Sequence, residues 1–178
     1  MCTSDQVAKR VVVQYIKDQG IPERVFDVGM GRGEYGKQLK GIKPDVYMTG
    51  LEIFEGYVVD DWGFSNLYDK VHIADMRDFD YAQVKAELVI AGDVIEHVIK
   101  EEGIKVIEKL KAYFNWVLIV VPIVDFPQGP ENKYGNVHEE HKHQWKPDEM
   151  VEATGLKYIG PVGVCGLFEM RSKESLNG

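Results

Sequence analysis

A glycine-rich turn near the start of the chain has the clearest capacity for chemistry. An apolar run ends at Asp27, and Gly29, Gly31 and Gly33 follow at alternate positions. Glycine allows the backbone to adopt positive φ angles and leaves room for a ligand to lie directly on the main chain. When a helix follows such a turn, its first N–H groups are available as hydrogen-bond donors. The pattern therefore predicts a nucleotide-binding turn built from backbone, with one carboxylate beside it.

Two nucleotide ligands are compatible with this turn. Residues 31–36 satisfy the G-x-G-x-x-G pattern of dinucleotide-binding proteins, and Glu52 follows about 20 residues later, where an acid that binds a ribose is expected. Read from Asp27, the same turn is D-x-G-x-G-x-G. A carboxylate at the end of the strand repels a pyrophosphate but attracts a ligand that carries an ammonium group. This interpretation favours S-adenosylmethionine over NAD.

Acidic residues also occur where predicted strands end. Strands rich in Val, Ile, Leu and aromatic residues are predicted at 24–28, 46–53, 70–74, 87–92 and 115–121. The acids at or near the ends of the first four are Asp27, Glu52, Asp75 and Asp93. Helical patterns separate the strands, and this alternation is typical of a parallel sheet with helices on both faces. Ligands bind at the carboxyl ends of such strands, so the four acids are expected along one edge.

The elements near the two ends of the chain complete the predicted fold. A helix is expected within residues 1–20, with Val7, Val11, Val12, Tyr15 and Ile16 on its buried face. A pattern typical of a helix covers 101–114, and a short last helix is expected at 147–153. Two more strands, at 156–160 and 164–171, are joined by a Gly-Pro-Val-Gly turn that suits a hairpin.

In these features the chain resembles the class I S-adenosylmethionine-dependent methyltransferases over nearly all of its length. Residues 27–33 are similar to the first motif of that family, and residues 88–98 are similar to its fourth strand and the segment that follows, with a Glu-His-Val ending. The resemblance implies an α/β fold, a three-layer Rossmann-like sandwich. Its sheet would be mostly parallel and seven-stranded, with an antiparallel last strand.

The same resemblance implies where the cofactor S-adenosylmethionine would bind. Glu52 would hold both ribose hydroxyls, Asp75 would face the adenine amine, and Met76 would lie beside the adenine ring. The full set of implied cofactor-binding residues is Asp27, Gly29, Gly31, Gly33, Glu52, Asp75, Met76 and Asp93.

The expected catalytic residues follow from the chemistry of methyl transfer. A sulfonium donor is already activated, so the enzyme must align the nucleophile, exclude water and, where needed, remove a proton. Asp93 would lie near the methyl group and could orient a hydroxyl or an amine. His97 is a candidate general base, because an imidazole pKa near 6.5 suits proton removal at neutral pH. His138 is an alternative base.

The segment 122–146 is too long for a simple connection and is expected to form a loop over the active site. It contains the run His-Glu-Glu-His-Lys-His at 138–143, which invites comparison with metal sites. The spacing is not H-E-x-x-H, and adjacent residues cannot all face one ion, so no metal site is expected. A role in covering the site is expected instead for His141, His143 and Trp145, and Tyr57 and Tyr134 could line the acceptor pocket.

Composition points to a compact enzyme for small acceptors. The 178 residues are 44% hydrophobic, which suits a single domain over 1–178, and no apolar run reaches the length of a membrane span. The net charge of −8 disfavours a nucleic-acid substrate, which would need basic residues to neutralise phosphates. A small-molecule acceptor and a cytoplasmic location are expected, and the sequence leaves the oligomeric state open.

Two other functions remain compatible with the sequence. One is a noncatalytic partner subunit that binds S-adenosylmethionine without turnover. The other is a compact NAD-dependent oxidoreductase, against which count the early Asp27 and the lack of a lysine four residues after Tyr35 or Tyr134.

Overall fold

The computed structural model describes residues 6–59, 64–125, 128–129 and 136–172. Helices and strands alternate along this part of the chain. The strands are β1 (Arg24–Val28), β2 (Tyr47–Glu52), β3 (Lys70–Ile73), β4 (Leu88–Gly92), β5 (Trp116–Pro122), β6 (Lys157–Val162) and β7 (Cys165–Arg171). The helices are α1 (Gln6–Gln19), α2 (Glu34–Ile42), α3 (Glu55–Val58), α4 (Lys100–Tyr113) and α5 (Pro147–Thr154). Each predicted strand is confirmed, with ends that differ by at most two residues.

The seven strands form one sheet in the order β3-β2-β1-β4-β5-β7-β6. Neighbours from β3 to β5 pair in parallel, whereas β7 lies antiparallel between β5 and β6. The predicted antiparallel last strand is therefore confirmed. The chain runs outward from β1 to β3 and then returns to β4 on the other side of β1. This reversal opens a crevice at the carboxyl ends of β1 and β4, where ligands bind in sheets of this kind.

Two apolar layers hold the helices against the sheet. Along β4, Leu88 and Ile90 pack with buried residues of α1 and α2. Val89 and Ala91, which alternate with them, pack with buried residues of α4 and α5. Successive side chains of a strand point to opposite faces, so an entirely apolar strand is expected where both faces are covered. The predicted three-layer α/β sandwich is confirmed.

The outer half of the sheet has less helical cover than its centre. The connection between β3 and β4, residues 74–87, contains one 3-10 turn over Tyr81–Gln83. Aromatic side chains cover the sheet there in place of a helix. The ring centroid of Phe26 in β1 is 5.9 Å from that of Phe79 and 6.2 Å from that of Tyr81. β3 is correspondingly half-exposed. The expectation of helices between all strands is wrong at this edge, because three aspartates within 74–87 favour turns over a helix.

The buried face of α1 differs from the predicted one. Val7 and Val11 are 59% and 43% exposed. The face that packs on the sheet consists of Ala8, Lys9, Val12, Val13 and Ile16. Valines occur on several sides of this helix, so apolar periodicity alone did not define its orientation. Of the helices in the described ranges, none has both the length and the apolar composition required to cross a membrane.

Candidate functional site

A cavity of about 600 Å³ opens at the carboxyl ends of β1 to β4. Its lining comes from the glycine-rich turn, the ends of β2 and β3, the segment after β4, and α1. The segment 136–142 contributes residues 136–139 and Lys142 to the same lining. Six of the eight predicted cofactor-binding residues line it: Gly29, Gly31, Glu52, Asp75, Met76 and Asp93. The predicted catalytic residues Asp93, His97 and His138 line it as well. The fold thus gathers on one cavity residues that are up to 136 positions apart in the sequence, from Gln6 to Lys142.

The glycine-rich turn presents bare backbone to this cavity. Gly29 and Gly31 have φ angles of 70° and 54°, a region that favours glycine. The N–H groups of Gly29 and Met30 donate to the Leu51 carbonyl at 2.8 and 3.0 Å, which holds the turn to β2. A Cβ atom on Gly31 would meet no protein atom within 4 Å. The space beside Gly31 is therefore open to a ligand.

Glu52 connects the turn to the end of β2 and also faces the cavity. Its Oε2 accepts a hydrogen bond from the Gly31 N–H, and its Oε1 accepts one from the Phe54 N–H, both at 2.8 Å. Burial raises the pKa of Glu52, an effect that these two hydrogen bonds oppose. Each carboxylate oxygen can accept a second hydrogen bond. Glu52 can therefore hold the turn in place and still bind hydroxyl groups of a ligand.

Asp27 and Gly33, the other two predicted residues, lie outside the cavity lining. The structure buries Asp27 beneath the turn, where its exposure is 1%. The Tyr68 hydroxyl donates to Asp27 Oδ2 at 2.5 Å, and burial raises the pKa of Asp27 to about 6. Gly33 precedes α2, and a Cβ atom there would lie 2.9 Å from the Phe64 backbone. In this structure both residues support the turn, and their direct contact with a ligand stays a prediction.

An ion network surrounds the predicted adenine position. The Arg77 guanidinium donates to both carboxylate oxygens of Asp75, at 2.6 to 3.0 Å, and also to Glu102 at 3.1 to 3.2 Å. Because Arg77 binds it so closely, the pKa of Asp75 is lowered and the carboxylate is ionised at neutral pH. Met76 is 8% exposed and contributes to the cavity wall. Arg77 was not predicted, although its position two residues after Asp75 suits a pair across a turn.

Asp93 lies at the end of β4 in an unusual backbone conformation. Its φ of 54° is the one positive value of a non-glycine residue within the described residues. Such strain is often found at functional sites. Its Oδ2 is buried and accepts no hydrogen bond, but Lys9 Nζ from α1 lies 3.6 Å away. Lys9 also lies over the Tyr35 ring, 4.5 Å from its centroid. Sequence reasoning missed Lys9, whose spacing from Val12 and Ile16 places it on the buried face of α1.

Two histidines, His97 and His138, line the cavity, and His141 lies beside His97. His97 Nδ1 is 3.3 Å from the Glu140 carbonyl, and burial lowers the pKa of His97, so the ring is neutral at pH 7. Its ring centroid is 5.0 Å from that of His141. His138 is exposed to solvent at the cavity rim.

The predicted covering loop contributes further polar groups to the cavity wall. Tyr57 of α3 lines the cavity, and its hydroxyl donates to Glu139 Oε1 at 2.8 Å. A contact of Tyr57 with an acceptor stays a prediction. Asn136 Nδ2 donates to the same oxygen at 3.2 Å. Tyr134 lies outside the described residues. Trp145 is fully buried in the core between the sheet and α4. The predicted role of Trp145 in covering the cavity is therefore wrong, and its side chain packs in the core instead. Residues 136–142 form a wall at the side of the cavity.

The comparison with solved structures shows the fold that this chain shares. Human N-acetylserotonin methyltransferase, solved in complex with SAM, superposes with a TM-score of 0.70 and 15% identity, over 93% of this chain and 52% of that one. The N-terminal domain of EvdMO1, solved in the presence of SAH and D-fucose, gives a TM-score of 0.65 and 13% identity, over 94% and 84%. Mitomycin 7-O-methyltransferase MmcR gives 0.63 and 15%, over 93% and 54%.

These similarities concern architecture. No protein-family model and no curated protein sequence matches the chain. The chain spans about half of the length of two of these three structures. The fold is that of the Rossmann-like S-adenosylmethionine-dependent methyltransferases, as the sequence resemblance predicted.

Proposed function

We propose that this protein transfers a methyl group from S-adenosylmethionine to a small or medium-sized acceptor. The observation that carries this proposal is the single cavity wall formed by the bare Gly31 backbone, Glu52 and Asp75. A flat backbone surface, an acid for hydroxyls and an acid for an amine together suit an adenosyl ligand. Structures of the same fold contain SAM or SAH, which supports this choice of cofactor.

The proposed placement of the cofactor follows the order of these groups. Glu52 would accept hydrogen bonds from the ribose hydroxyls through the lone pairs that Gly31 and Phe54 do not use. The adenine would lie toward Met76, with its amine directed to the ionised Asp75. The amino-acid part would then lie along Gly29 and Gly31, with its sulfonium near Asp93.

The acceptor would occupy the part of the cavity between Asp93 and the wall formed by residues 136–142. The total volume of about 600 Å³ must hold both the cofactor and the acceptor, which favours a small molecule. Mitomycin 7-O-methyltransferase, which shares this fold, is named for a small-molecule acceptor, and this supports that class of acceptor. Asp93 would orient the nucleophile, and His97 or His138 would accept its proton.

Calorimetric titration with S-adenosylmethionine, S-adenosylhomocysteine and NAD tests the cofactor. We expect micromolar binding of both adenosyl ligands and none of NAD. Binding of NAD alone would instead favour the alternative function, a compact NAD-dependent oxidoreductase. Protein that binds S-adenosylmethionine is then incubated with a labelled methyl donor and a panel of hydroxyl, amine and carbon acceptors. Transfer to any acceptor supports an enzyme, whereas tight binding without transfer across the panel would favour a noncatalytic binding subunit.

A further inference from the structure

Three side chains with metal-ligating atoms converge beside the cavity. Glu96, His97 and His141 each contribute one ligating atom, and these atoms lie within 4.8 Å of one another. Among the residues that the structure describes, this is the one group of three such side chains that could hold a metal ion. It joins two segments that are 44 residues apart, from His97 to His141. His97 itself lines the cavity, so the cluster borders the proposed acceptor region.

Backbone hydrogen bonds fix the position of the cluster. Glu96 and His97 belong to a 3-10 turn, Ile95–His97, that follows β4. The Glu96 carbonyl accepts hydrogen bonds from the N–H groups of Lys142 and His143, at 2.8 and 3.2 Å. The His141 N–H donates to the Gln128 carbonyl at 3.0 Å. The two residues after His141 are therefore hydrogen-bonded to the turn after β4, and His141 itself is hydrogen-bonded to Gln128, so the backbone of the cluster is fixed, as a preorganised ligand set requires.

The Glu96 carboxyl group is buried in a place where a negative charge costs free energy. Glu96 is 2% exposed, and its Oε2 atom is buried without a hydrogen-bond partner. A buried carboxylate oxygen that accepts no hydrogen bond costs free energy unless a cation compensates it. Asp93 and Glu139 act on Glu96 with like charge, and Lys9 is the cation that opposes them. The arrangement favours the entry of another positive charge.

His97 has the supporting contact that is typical of metal-bound histidines. A carbonyl oxygen can only accept, so the contact between Nδ1 and the Glu140 carbonyl places the ring proton on Nδ1. In this tautomer of the neutral ring, Nε2 carries the lone pair. Histidines that bind metals commonly donate their other ring N–H to a carbonyl or a carboxylate, which fixes the tautomer and the ring orientation.

We propose that Glu96, His97 and His141 form a binding site for a divalent first-row transition metal ion. Two imidazoles and one carboxylate suit Zn²⁺, Mn²⁺, Fe²⁺ or Co²⁺, whereas Mg²⁺ and Ca²⁺ prefer oxygen ligands alone. Three protein ligands leave coordination positions open, as in metal sites that bind substrate. Those positions would face the cavity beside His97. A hydroxyl oxygen of the methyl acceptor could occupy one of these open coordination positions. Only this role of the metal depends on the proposed methyl transfer; the metal site itself does not.

Occupancy by a metal changes the assignment of the base. The His97 imidazole would be a ligand, so His138, at the rim of the same cavity, is the remaining predicted proton acceptor. The absence of an H-E-x-x-H spacing does not argue against this site. The 138–143 run supplies one ligand, His141, and the other two come from the segment after β4.

Metal titration of the tag-free, chelator-treated protein tests the site. Co²⁺ binding is followed by visible absorption, and Zn²⁺ and Mn²⁺ binding by calorimetry, with Mg²⁺ for comparison. We expect one equivalent of Co²⁺ or Zn²⁺ to bind at micromolar concentration or below, and Mg²⁺ to bind at least 10-fold more weakly. His141→Ala should weaken Co²⁺ and Zn²⁺ binding at least 100-fold. Glu96→Gln is a second variant, and circular dichroism checks that each protein is folded.

His143→Ala is the matched control, because it removes an imidazole from the same segment. His143 pairs with Glu149 on α5, with Nε2 3.2 Å from Oε1, and is not part of the cluster. It should bind Co²⁺ as the unaltered protein does. Lack of Co²⁺ and Zn²⁺ binding, or equal losses in His141→Ala and His143→Ala, would overturn the proposal. A parallel titration with S-adenosylmethionine separates this result from the proposed function, since metal binding and cofactor binding are measured independently.

Discussion

Lys9 of α1 and Asp93 at the end of β4 form a nearly buried ion pair, with Nζ 3.6 Å from Oδ2. The side chains are only 9% and 11% exposed. The pair attaches α1 to the strand end from which the proposed methyl acceptor would be oriented. Both residues line the cavity. The first helix therefore contributes to the site as well as to the core.

Replacement of Lys9 should reveal this coupling. Lys9→Met leaves the buried Asp93 carboxylate without its cation, so we expect the free energy of unfolding to fall by about 3 kcal/mol. Asp93→Asn in the same protein should recover a large part of that loss. Lys17→Met is the control, because Lys17 is exposed on the same helix and should change stability by less than about 0.5 kcal/mol. Urea unfolding of the unaltered protein, Lys9→Met, Asp93→Asn, the double variant and the Lys17→Met control measures the cycle, and strictly additive effects of the two single substitutions would show that the pair is not coupled.

The open face of Gly31 should be required for cofactor binding more than for folding. Gly31→Ala adds a methyl group to the empty space beside the turn, where we place the ligand, and should lower S-adenosylmethionine affinity at least 10-fold. The positive φ of 54° will also reduce stability, by about 1 to 2 kcal/mol.

Gly155 offers a matched control for that substitution. It has a φ of 67°, and a Cβ atom there would also meet nothing within 4 Å, but it ends α5 away from the cavity. Gly155→Ala should cost similar stability and leave the affinity unchanged. Equal affinity in the two variants, measured by calorimetry, would place the ligand elsewhere.

Glu52 should contribute to both ribose binding and the geometry of the turn. Glu52→Ala removes the acceptor of the Gly31 and Phe54 N–H groups as well as the proposed ribose contact. Each hydrogen bond to a charged group is worth roughly 1.5 to 3 kcal/mol, so we expect S-adenosylmethionine affinity to fall by 10-fold to 100-fold. Glu55→Ala, which removes an exposed acid three residues later, should bind normally. An unchanged affinity for Glu52→Ala in the same titration would contradict the placement of the ribose.

The elements of this fold were predictable where local sequence and packing agree. The strands at Leu88–Gly92 and Trp116–Pro122 are apolar throughout, and the structure covers both of their faces. The grouping of the acids at the strand ends with the glycine turn was also predictable, because a parallel topology brings the carboxyl ends of the strands together. Lys9 and His141 were not assigned their positions, because each meets its partner through a contact between distant segments. A helix orientation or a loop path decides such contacts, and neither has a local signal in the sequence.

Asp27 should make the stability of the protein depend on pH in a defined direction. Burial raises the pKa of Asp27 to about 6 in the folded state, compared with about 3.9 for an exposed aspartate. Between these two values the folded state binds more protons than the unfolded state, so the free energy of unfolding must fall as the pH rises. Well below pH 4 both states are protonated, and well above pH 6 both are ionised. The contribution of Asp27 therefore changes only within this window.

Asp27→Asn isolates that contribution, because an asparagine does not titrate and its side-chain oxygen can still accept the Tyr68 hydrogen bond. The unaltered protein should lose about 2 kcal/mol relative to Asp27→Asn between pH 4 and pH 6.5, which is most of the free energy of a pKa shift of about two units. Other titrating groups are common to both proteins and cancel in the difference. Urea unfolding at half-unit pH steps measures it. A constant difference would mean that Asp27 is ionised in the folded protein throughout this range, held so by Lys9 and Tyr68, and that the carboxylate beneath the turn is a fixed negative charge.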